Sequence, residues 1–170
     1  MKPKIIQRES ILLVGMSFYG DPFSNKEPWS EDNEIGRVWQ RFTKFHRENP
    51  DRIRHEITPF VGYEVCIANE ETNQFGHFEV FVGVEVTEIE EVPPTLSMKM
   101  LPPSTYAVFT IQGKMIASDW YYDLAQAWLP EAGLKQIGDF NFQVYDQRFK
   151  GMDRLEESAI DVYIPIEAAS

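Results

Sequence analysis

Alternating apolar and polar residues mark most of the strands in this sequence. Every second residue from Phe78 to Val86 is apolar, and so is every second residue from Val61 to Ile67. A period of two is typical of a β-strand, because successive side chains point to opposite faces of a sheet. β-branched runs and flanking glycines or prolines complete the assignment. The predicted strands are 5–20, 61–68, 78–87, 105–111, 140–145 and 159–166.

The first helix is indicated by a different period. Apolar residues recur every three or four positions from Ile35 to Phe45, which places them on one face of a helix. Ser30 precedes several acids, and a serine cap followed by acids suits the free N–H groups of a helix N-terminus. The sequence therefore predicts a helix over 31–48, ended by Pro50.

A second helix is predicted over 118–129. Ser118 and Asp119 provide its cap, and Pro130 sets its end, because proline disfavours helical geometry in the preceding residue. The polar segment 69–73 is predicted to be a connection, compatible with a hairpin. Residues 5–87 and 103–166 then share the order strand, helix, strand, strand, which suggests a tandem duplication of one βαββ unit. We expect an α+β fold in a single domain over 1–170.

Composition narrows the class of protein. The 170 residues include 43% hydrophobic and 14% aromatic residues, enough for a substantial core, and carry a net charge of −11. Cys66 is the only cysteine, so an internal disulfide and four-cysteine zinc sites are excluded. The three histidines match no metal motif in their spacing. No apolar run is long enough for a membrane span or a signal peptide, so a cytoplasmic protein is expected. No cofactor and no metal are expected.

The negative charge also bears on partners. An acidic protein repels phosphate backbones, so direct DNA binding is not expected. Residues 37–55 are an exception to this negative charge, because eight of them are basic or histidine residues. The favoured interpretation is the solvated face of the first helix and its exit loop. The alternative is a docking patch for nucleic acid or for an acidic partner protein.

Candidate binding residues come from the less apolar face of three strands, which mixes aromatic side chains with acids and amides. That composition is typical of a ligand pocket, whereas the alternative is a sheet face covered by loops. Gly83 lies in mid-strand, where glycine often marks the close approach of a ligand or another backbone. We expect these residues to surround one concavity, closed by Trp120: Phe81, Gly83, Glu85, Gln143, Tyr145 and Tyr163.

No catalytic or nucleotide-binding motif is present in the sequence. Glu79 and Glu85 stand six residues apart, about 20 Å along a strand, so they cannot act as an acid–base pair on one bond. Trp120, Leu124 and Trp128 share a helical face that either packs in the core or lines a cleft. An enzyme is therefore the less favoured function, and no catalytic residue is assigned.

Several short motifs, in order, resemble the GyrI-like effector-binding domain, which also forms the ligand-sensing half of AraC-type and MerR-type transcription activators. The resemblance covers about Ile5 to Ile166. The motifs are Phe81-x-Gly83-Val84-Glu85-Val86, a proline pair, Tyr106-Ala107-Val108-Phe109-Thr110, Gly113, Trp128-Leu129-Pro130, Phe142-Gln143-Val144-Tyr145 and Ile164-Pro165-Ile166.

The resemblance implies two βαββ units with pseudo-twofold symmetry, with antiparallel sheets packed by two main helices. It also implies binding of small, often cationic and lipophilic molecules in a cleft between the halves, as in multidrug binding. Some members inhibit gyrase, and some hydrolyse strained cyclopropane-containing compounds, so a hydrolase and a protein-interaction module are the alternative functions. Because no segment remains for a DNA-binding helix pair, a stand-alone effector-binding protein is expected.

The sequence departs from the family at the pocket acid. The family places a glutamate in a Phe-Glu-x-Tyr motif, where this chain has Gln143. Glutamine donates and accepts hydrogen bonds but supplies no carboxylate. Charge for a cationic ligand would then come from Glu85, Glu79 or Asp161, and Glu85 is the favoured candidate.

Overall fold

The computed structural model of the protein describes residues 1–23 and 32–169. Nine strands form an antiparallel arrangement: β1 Lys4–Arg8, β2 Ile11–Gly20, β3 Gly62–Ile67, β4 Phe78–Val86, β5 Ser97–Leu101, β6 Ser104–Gln112, β7 Leu134–Gln136, β8 Phe140–Tyr145 and β9 Ala159–Ala168. The spatial order is β1-β6-β9-β8-β3-β4-β2-β5, and β7 pairs with β9. The predicted α+β class is confirmed.

Three helices pack on this sheet or connect its strands. Helix α1 is Glu34–Glu48 and helix α2 is Glu70–Phe75. Helix α3 spans 120–131, with α-helical ends at Trp120–Asp123 and Leu129–Glu131 and a π-helical turn at Leu124–Trp128 between them. Short 3₁₀ turns occupy Gly113–Ala117 and Met152–Glu157.

The helix ends differ in detail from the sequence prediction. The side chain of Asn33 accepts a hydrogen bond from the Gly36 N–H, so α1 begins at Glu34 rather than at residue 31. Ser30, the predicted cap, lies outside the described residues. Asp119 caps α3 as expected. The helix continues past the predicted end at 129: Pro130 follows closely on the π-helical turn Leu124–Trp128, where the regular bonding between residues four apart, which a proline would interrupt, is already broken.

Four elements differ from the prediction or were missed. The strand predicted over 5–20 is split into β1 and β2, and most of the polar segment 69–73, expected as a connection, belongs to α2. Strand β5 was missed because two proline pairs flank it, and β7 was missed because it has only three residues.

The two halves of the chain have the same strand arrangement. In the first half, strands β3, β4 and β2 lie side by side and α1 packs on them. In the second half, strands β8, β9 and β6 lie side by side in the same way and α3 packs on them. The halves join where β3 pairs with β8. Each half of this sheet ends in a strand from the other half of the chain, since β5 pairs with β2 and β1 pairs with β6.

Both faces of the sheet are buried, and this arrangement determines where the site can lie. One core packs between α1 and the even-numbered residues of β4, and a second packs between α3 and β9. A third cluster covers the opposite, inner face, with side chains from both halves, including Phe81, Tyr106 and Phe142. The helix side of the paired strands β3 and β8 lies between the two helix-covered cores.

Candidate functional site

The residues predicted to share one concavity lie on opposite faces of the sheet. Phe81 is fully buried in the inner cluster, and Tyr163 packs there against Phe142 with ring centroids 4.6 Å apart. Tyr145 instead packs against the core beneath α3, to which Trp120 also belongs. The expectation of one concavity closed by Trp120 is therefore wrong.

The physical reason is an inversion of the apolar face between strands. In β4 and β9 the more apolar face points to the helices, whereas in β3 and β8 it points to the inner cluster. Pairing of Val65 with both Phe81 and Phe142 places Phe142 on the same face as Phe81. Gln143 and Tyr145 therefore face the helices, opposite to Phe81.

Glu85 and Gly83 have structural partners on the inner face. The Glu85 carboxylate accepts hydrogen bonds from Arg8 Nη2 and from the Tyr63 hydroxyl, both at 2.5 Å. A Cβ on Gly83 would lie 2.3 Å from the carbonyl oxygen of Val14, so this glycine permits close approach of strand β2. Glu85, the favoured carboxylate for a cation, is therefore already neutralised by Arg8.

The other two acids considered for a cation are also paired. Glu79 forms a salt bridge with Lys99 at 2.8 Å, and Asp161 forms one with Arg148 at 2.6 Å. Arg148 also bonds Asp146 through a 2.8 Å contact. None of the three carboxylates named from the sequence is left to neutralise a ligand.

A different carboxylate, Glu64, lies beside Gln143. The two residues are directly opposite each other on β3 and β8, and the Gln143 side-chain amide donates to Glu64 Oε1 at 3.3 Å. The indole N–H of Trp39, on α1, donates to Glu64 Oε2 at 2.5 Å. Glu64 is 6% exposed, and no cationic side chain among residues 1–23 and 32–169 forms a salt bridge with it. The carboxylate is thus buried without a counter-charge from any residue that the structure describes.

Burial has a clear electrostatic consequence at this position. It raises the pKa of Glu64 from 4.5 to about 7, and the hydrogen bonds from Trp39 and Gln143 only partly oppose the rise. Desolvation disfavours the ionised form of a carboxyl, whereas hydrogen bonds to it favour that form. Glu64 therefore changes charge near neutral pH.

Aromatic rings flank Glu64 on one side. Trp39 and Tyr145 meet edge to face with centroids 5.0 Å apart, and the Tyr145 hydroxyl donates to Gln143 Oε1 at 2.8 Å. Gly62 makes room for the indole, since a Cβ there would lie 2.7 Å from Trp39 Cη2. Burial raises the pKa of Tyr145 well above its ordinary value, so its hydroxyl stays protonated and donates. We call Trp39, Gly62, Glu64, Gln143 and Tyr145 the seam site.

Glu64 was missed by sequence reasoning, although a signal for it existed. The apolar alternation of Val61 to Ile67 predicted a strand, and it leaves Gly62, Glu64 and Cys66 as the opposite set of that strand. A glutamate inside an otherwise apolar strand was the available clue. Its pairing with Gln143 could not be seen without the register of β3 against β8.

The seam site is closed in this structure. Surface cavities of about 510 and 440 Å³ lie elsewhere, one beside Arg148 and the other beside Ala68 and Asp139, and neither is lined by Glu64 or Gln143. Trp39 and Tyr145, the aromatic residues of this site, are partly exposed. Because Glu64 is only 6% exposed, a ligand that contacts its carboxylate requires the surrounding side chains to move.

Other charged clusters are engaged in surface contacts. His55, Glu88 and Glu90 bring potential metal-ligand atoms within 4.8 Å of one another at the surface. Arg54 bonds Glu90 there at 3.2 Å, which supplies a counter-charge without a metal. Arg37 bonds Glu34 at the surface, which fits the interpretation of a solvated helix face, whereas His46 bonds Glu56 in a partly buried contact.

Comparison with known proteins identifies the family. The profile of the Cass2 family, described as integron-associated effector binding protein, matches residues 4–166. The chain belongs to this Cass2 family of effector-binding proteins. The transcriptional regulator BrlR of Pseudomonas aeruginosa is 32% identical over 169 residues, which are 98% of this chain and 56% of BrlR. This chain thus spans about half the length of that curated relative.

Solved structures show the same fold. The structure of SAV2435 bound to tetraphenylphosphonium has a TM-score of 0.66 at 17% identity, over 98% of this chain and 94% of the other. EcmrR in a complex with DNA has a TM-score of 0.69 at 12% identity, over 99% of this chain and 58% of the other. Membership of the Cass2 family confirms the effector-binding resemblance read from the motifs. Within the described residues, no helix of this Cass2-family chain has the length and apolar character of a membrane span.

Proposed function

We propose that this effector-binding protein binds a small aromatic or lipophilic molecule at the seam site, with Glu64 in place of the family's motif glutamate. The observation that carries the proposal is the buried Glu64 carboxylate, which has hydrogen-bond donors but no salt-bridge partner in the described part of the chain. Burying an ionised group without a partner is costly, so a residue of this kind is a candidate for function.

The surroundings of Glu64 favour a cation among such molecules. Trp39 and Tyr145 offer aromatic faces that attract a positive charge, and Glu64 offers a carboxylate within the same site. SAV2435, which shares the fold, is described as bound to the lipophilic cation tetraphenylphosphonium. In this chain the acid comes from β3 rather than β8, directly across the strand pair from the motif position. A binding cation would favour the ionised form of Glu64.

The test is calorimetric titration of the purified protein at pH 8 with tetraphenylphosphonium and with the neutral triphenylphosphine oxide. Loss of a charge-assisted contact costs about 1.5–3 kcal/mol, so Glu64→Gln should weaken binding of the cation by about tenfold to a hundredfold. Binding of the neutral compound should change far less.

Glu48→Gln is the matched control, because Glu48 is exposed at the end of α1 and the substitution removes the same charge. Equal weakening in both variants would indicate a general effect of net charge. Unchanged binding of the cation by Glu64→Gln would contradict the role of Glu64.

Hydrolysis is the second candidate function, favoured by the same carboxyl. A base with a pKa near the working pH is well suited to accept a proton from an attacking water. Mass spectrometry of a bound compound after long incubation would detect this activity as a product heavier by one water. Glu64→Gln should abolish that product, and a product formed equally by the variant would exclude Glu64 as the base.

A further inference from the structure

Hydrogen bonds of one direction link four side chains of the seam site. The Tyr145 hydroxyl donates to Gln143 Oε1 at 2.8 Å, and Gln143 Nε2 donates to Glu64 Oε1 at 3.3 Å. From the other side, the Trp39 indole N–H donates to Glu64 Oε2 at 2.5 Å. Every hydrogen in this chain points toward Glu64. The chain therefore suits an ionised carboxylate, which accepts hydrogen bonds and donates none.

Protonation of Glu64 conflicts with this arrangement. The indole N–H of Trp39 can only donate, so a proton on Glu64 Oε2 would break that hydrogen bond, and the proton belongs on Oε1. There it would meet the Gln143 NH₂ group, which is also a donor. A donor left without an acceptor in a buried site is costly. Reversing the Gln143 amide removes the conflict, because it exchanges the amide oxygen and nitrogen at nearly the same positions.

The reversal changes the role of Tyr145. Glu64 then donates to the Gln143 oxygen, and the Gln143 nitrogen donates to the Tyr145 hydroxyl oxygen. A hydroxyl can accept and donate at once, so its own hydrogen is released from Gln143. The rings of Trp39 and Phe149 flank Tyr145 edge to face, each with centroids 5.0 Å away, and within residues 1–23 and 32–169 the hydroxyl has no hydrogen-bond partner besides Gln143. After reversal, this hydrogen is available to a ligand.

Glu64 controls the direction of the chain near neutral pH. Burial raises its pKa from 4.5 to about 7. Its titratable neighbours are Cys66 on β3 and Tyr145 on β8, and Tyr121 on α3 interacts electrostatically with Cys66. Burial raises the pKa of each of these three groups, so they stay neutral, and the contact from α1 is the neutral indole of Trp39. Of these groups, Glu64 is the one that titrates between pH 6 and pH 8.

We propose that Gln143 is a reversible relay, through which protonation of Glu64 changes the class of ligand that the seam site binds. With Glu64 ionised, the site offers a carboxylate and binds a lipophilic cation. With Glu64 protonated, it offers the Tyr145 hydroxyl and binds a neutral aromatic molecule that carries a strong hydrogen-bond acceptor. A glutamine suits the relay because its amide both donates and accepts, whereas an ionised carboxyl at this position has no hydrogen to donate. The inference rests on the proposed function of the seam site.

Calorimetric titrations at pH 8 and pH 6 with two probes test the change of ligand class. From pH 8 to pH 6, the wild type should bind tetraphenylphosphonium about five- to tenfold more weakly, because the ionised fraction of Glu64 falls. It should bind triphenylphosphine oxide about three- to fivefold more tightly, because the protonated fraction gains one hydrogen bond to the phosphoryl oxygen.

Tyr145→Phe separates the two effects. The variant lacks the hydroxyl, so it should lose the tighter binding of the oxide at pH 6, whereas its binding of the phosphonium should still weaken as pH falls. Tyr122→Phe is the matched control, because Tyr122 is exposed on α3 and the substitution removes the same hydroxyl. It should behave like the wild type with both probes.

A second measurement follows the amide itself, without a ligand. Before reversal the Gln143 NH₂ group faces Glu64, and after reversal it faces Tyr145. Nuclear Overhauser contacts from the Gln143 amide protons to the Tyr145 ring should therefore be weak at pH 8 and strong at pH 6, with a midpoint near the Glu64 pKa of about 7. The spectrum of Gln143→Met, which lacks these protons, assigns the signals.

The outcomes separate the relay from the proposed function. Equal affinity of the wild type for the oxide at the two pH values would overturn the relay, and so would an undiminished rise in Tyr145→Phe or amide contacts that do not change with pH. The proposed function would survive each of these results as long as Glu64→Gln still weakens binding of the phosphonium at pH 8. Failure of the wild type to bind either probe would overturn both proposals.

Discussion

Replacing Glu64 by glutamine should change how the stability of the protein depends on pH. The pKa of Glu64 is about 7 in the folded protein and 4.5 when the carboxyl is unperturbed. Between these values the folded state binds more protons than the unfolded state, so the free energy of unfolding falls as pH rises. The stability contributed by the protonated carboxyl is fully present below pH 4.5 and is lost as pH rises through 7.

The size of the effect follows from the two pKa values. Each pKa unit corresponds to about 1.4 kcal/mol, which gives a loss of roughly 2–3 kcal/mol in the wild type between pH 5 and pH 8. Glutamine keeps the shape of the neutral carboxyl and has no titration. The Glu64→Gln variant should therefore gain about that much stability relative to the wild type over the same range.

Urea unfolding followed by far-ultraviolet circular dichroism, at pH 5, 6, 7 and 8, measures the difference directly. Glu48→Gln should run parallel to the wild type, since Glu48 is exposed. A constant stability difference between wild type and Glu64→Gln across this range would refute the reasoning, because it would mean that Glu64 titrates alike in both states. A difference of opposite slope would mean that an unseen cation holds the carboxyl ionised.

Four further predictions follow from the same contacts. Gln143→Glu should place a second carboxyl beside Glu64 and raise the pKa of the pair, so that the free energy of unfolding falls more steeply above pH 6 in the same urea assay. An unchanged pH profile would contradict the pairing of the two residues. Gly62→Ala should displace the Trp39 indole and lower stability by about 1–3 kcal/mol, with a shift in tryptophan emission; an unshifted spectrum would show that the indole does not lie over Gly62. Leu124→Ala, in the core beneath α3, should cost about 2–5 kcal/mol of unfolding free energy, and a cost below 1 kcal/mol would mean that the π-helical turn there is loosely packed. Cation binding to the wild type should weaken as pH falls below 7, because the ligand must compete with a proton on Glu64, and calorimetry that shows pH-independent affinity would exclude that carboxylate.

The sequence allowed much of the fold to be predicted, but only part of the candidate site. Alternation located β3, β4, β8 and β9 almost to the residue, helical spacing located α1, and the cap at Asp119 located the start of α3. Alternation distinguishes the two faces within one strand, yet it cannot say which face of the next strand lies on the same side. That information resides in the pairing between strands, which is set by contacts between distant parts of the chain.

The error in the site came from assuming a single buried face. Because both faces of the sheet are covered, the apolar set of β8 points to the inner cluster while the apolar set of β4 points to α1. Gln143 was singled out from its motif and grouped with Phe81 and Glu85, which face the other way. The carboxylate next to Gln143 belongs to a strand distant in sequence, so only the register of β3 against β8 places it there.

The exchange of edge strands has a consequence for how the chain can be divided. Lys4 pairs with Val108 and Ile11 pairs with Leu101, so the segments 4–15 and 97–108 run antiparallel beside each other in one unchanged register across both halves. The pairing is interrupted only at Glu9 and Ser10, which stand opposite Pro103 and Pro102 in this register. A chain cut between residues 87 and 96 would leave each fragment without the edge strand of its own sheet. The fragments should therefore fold together, by mutual completion, rather than as two independent halves.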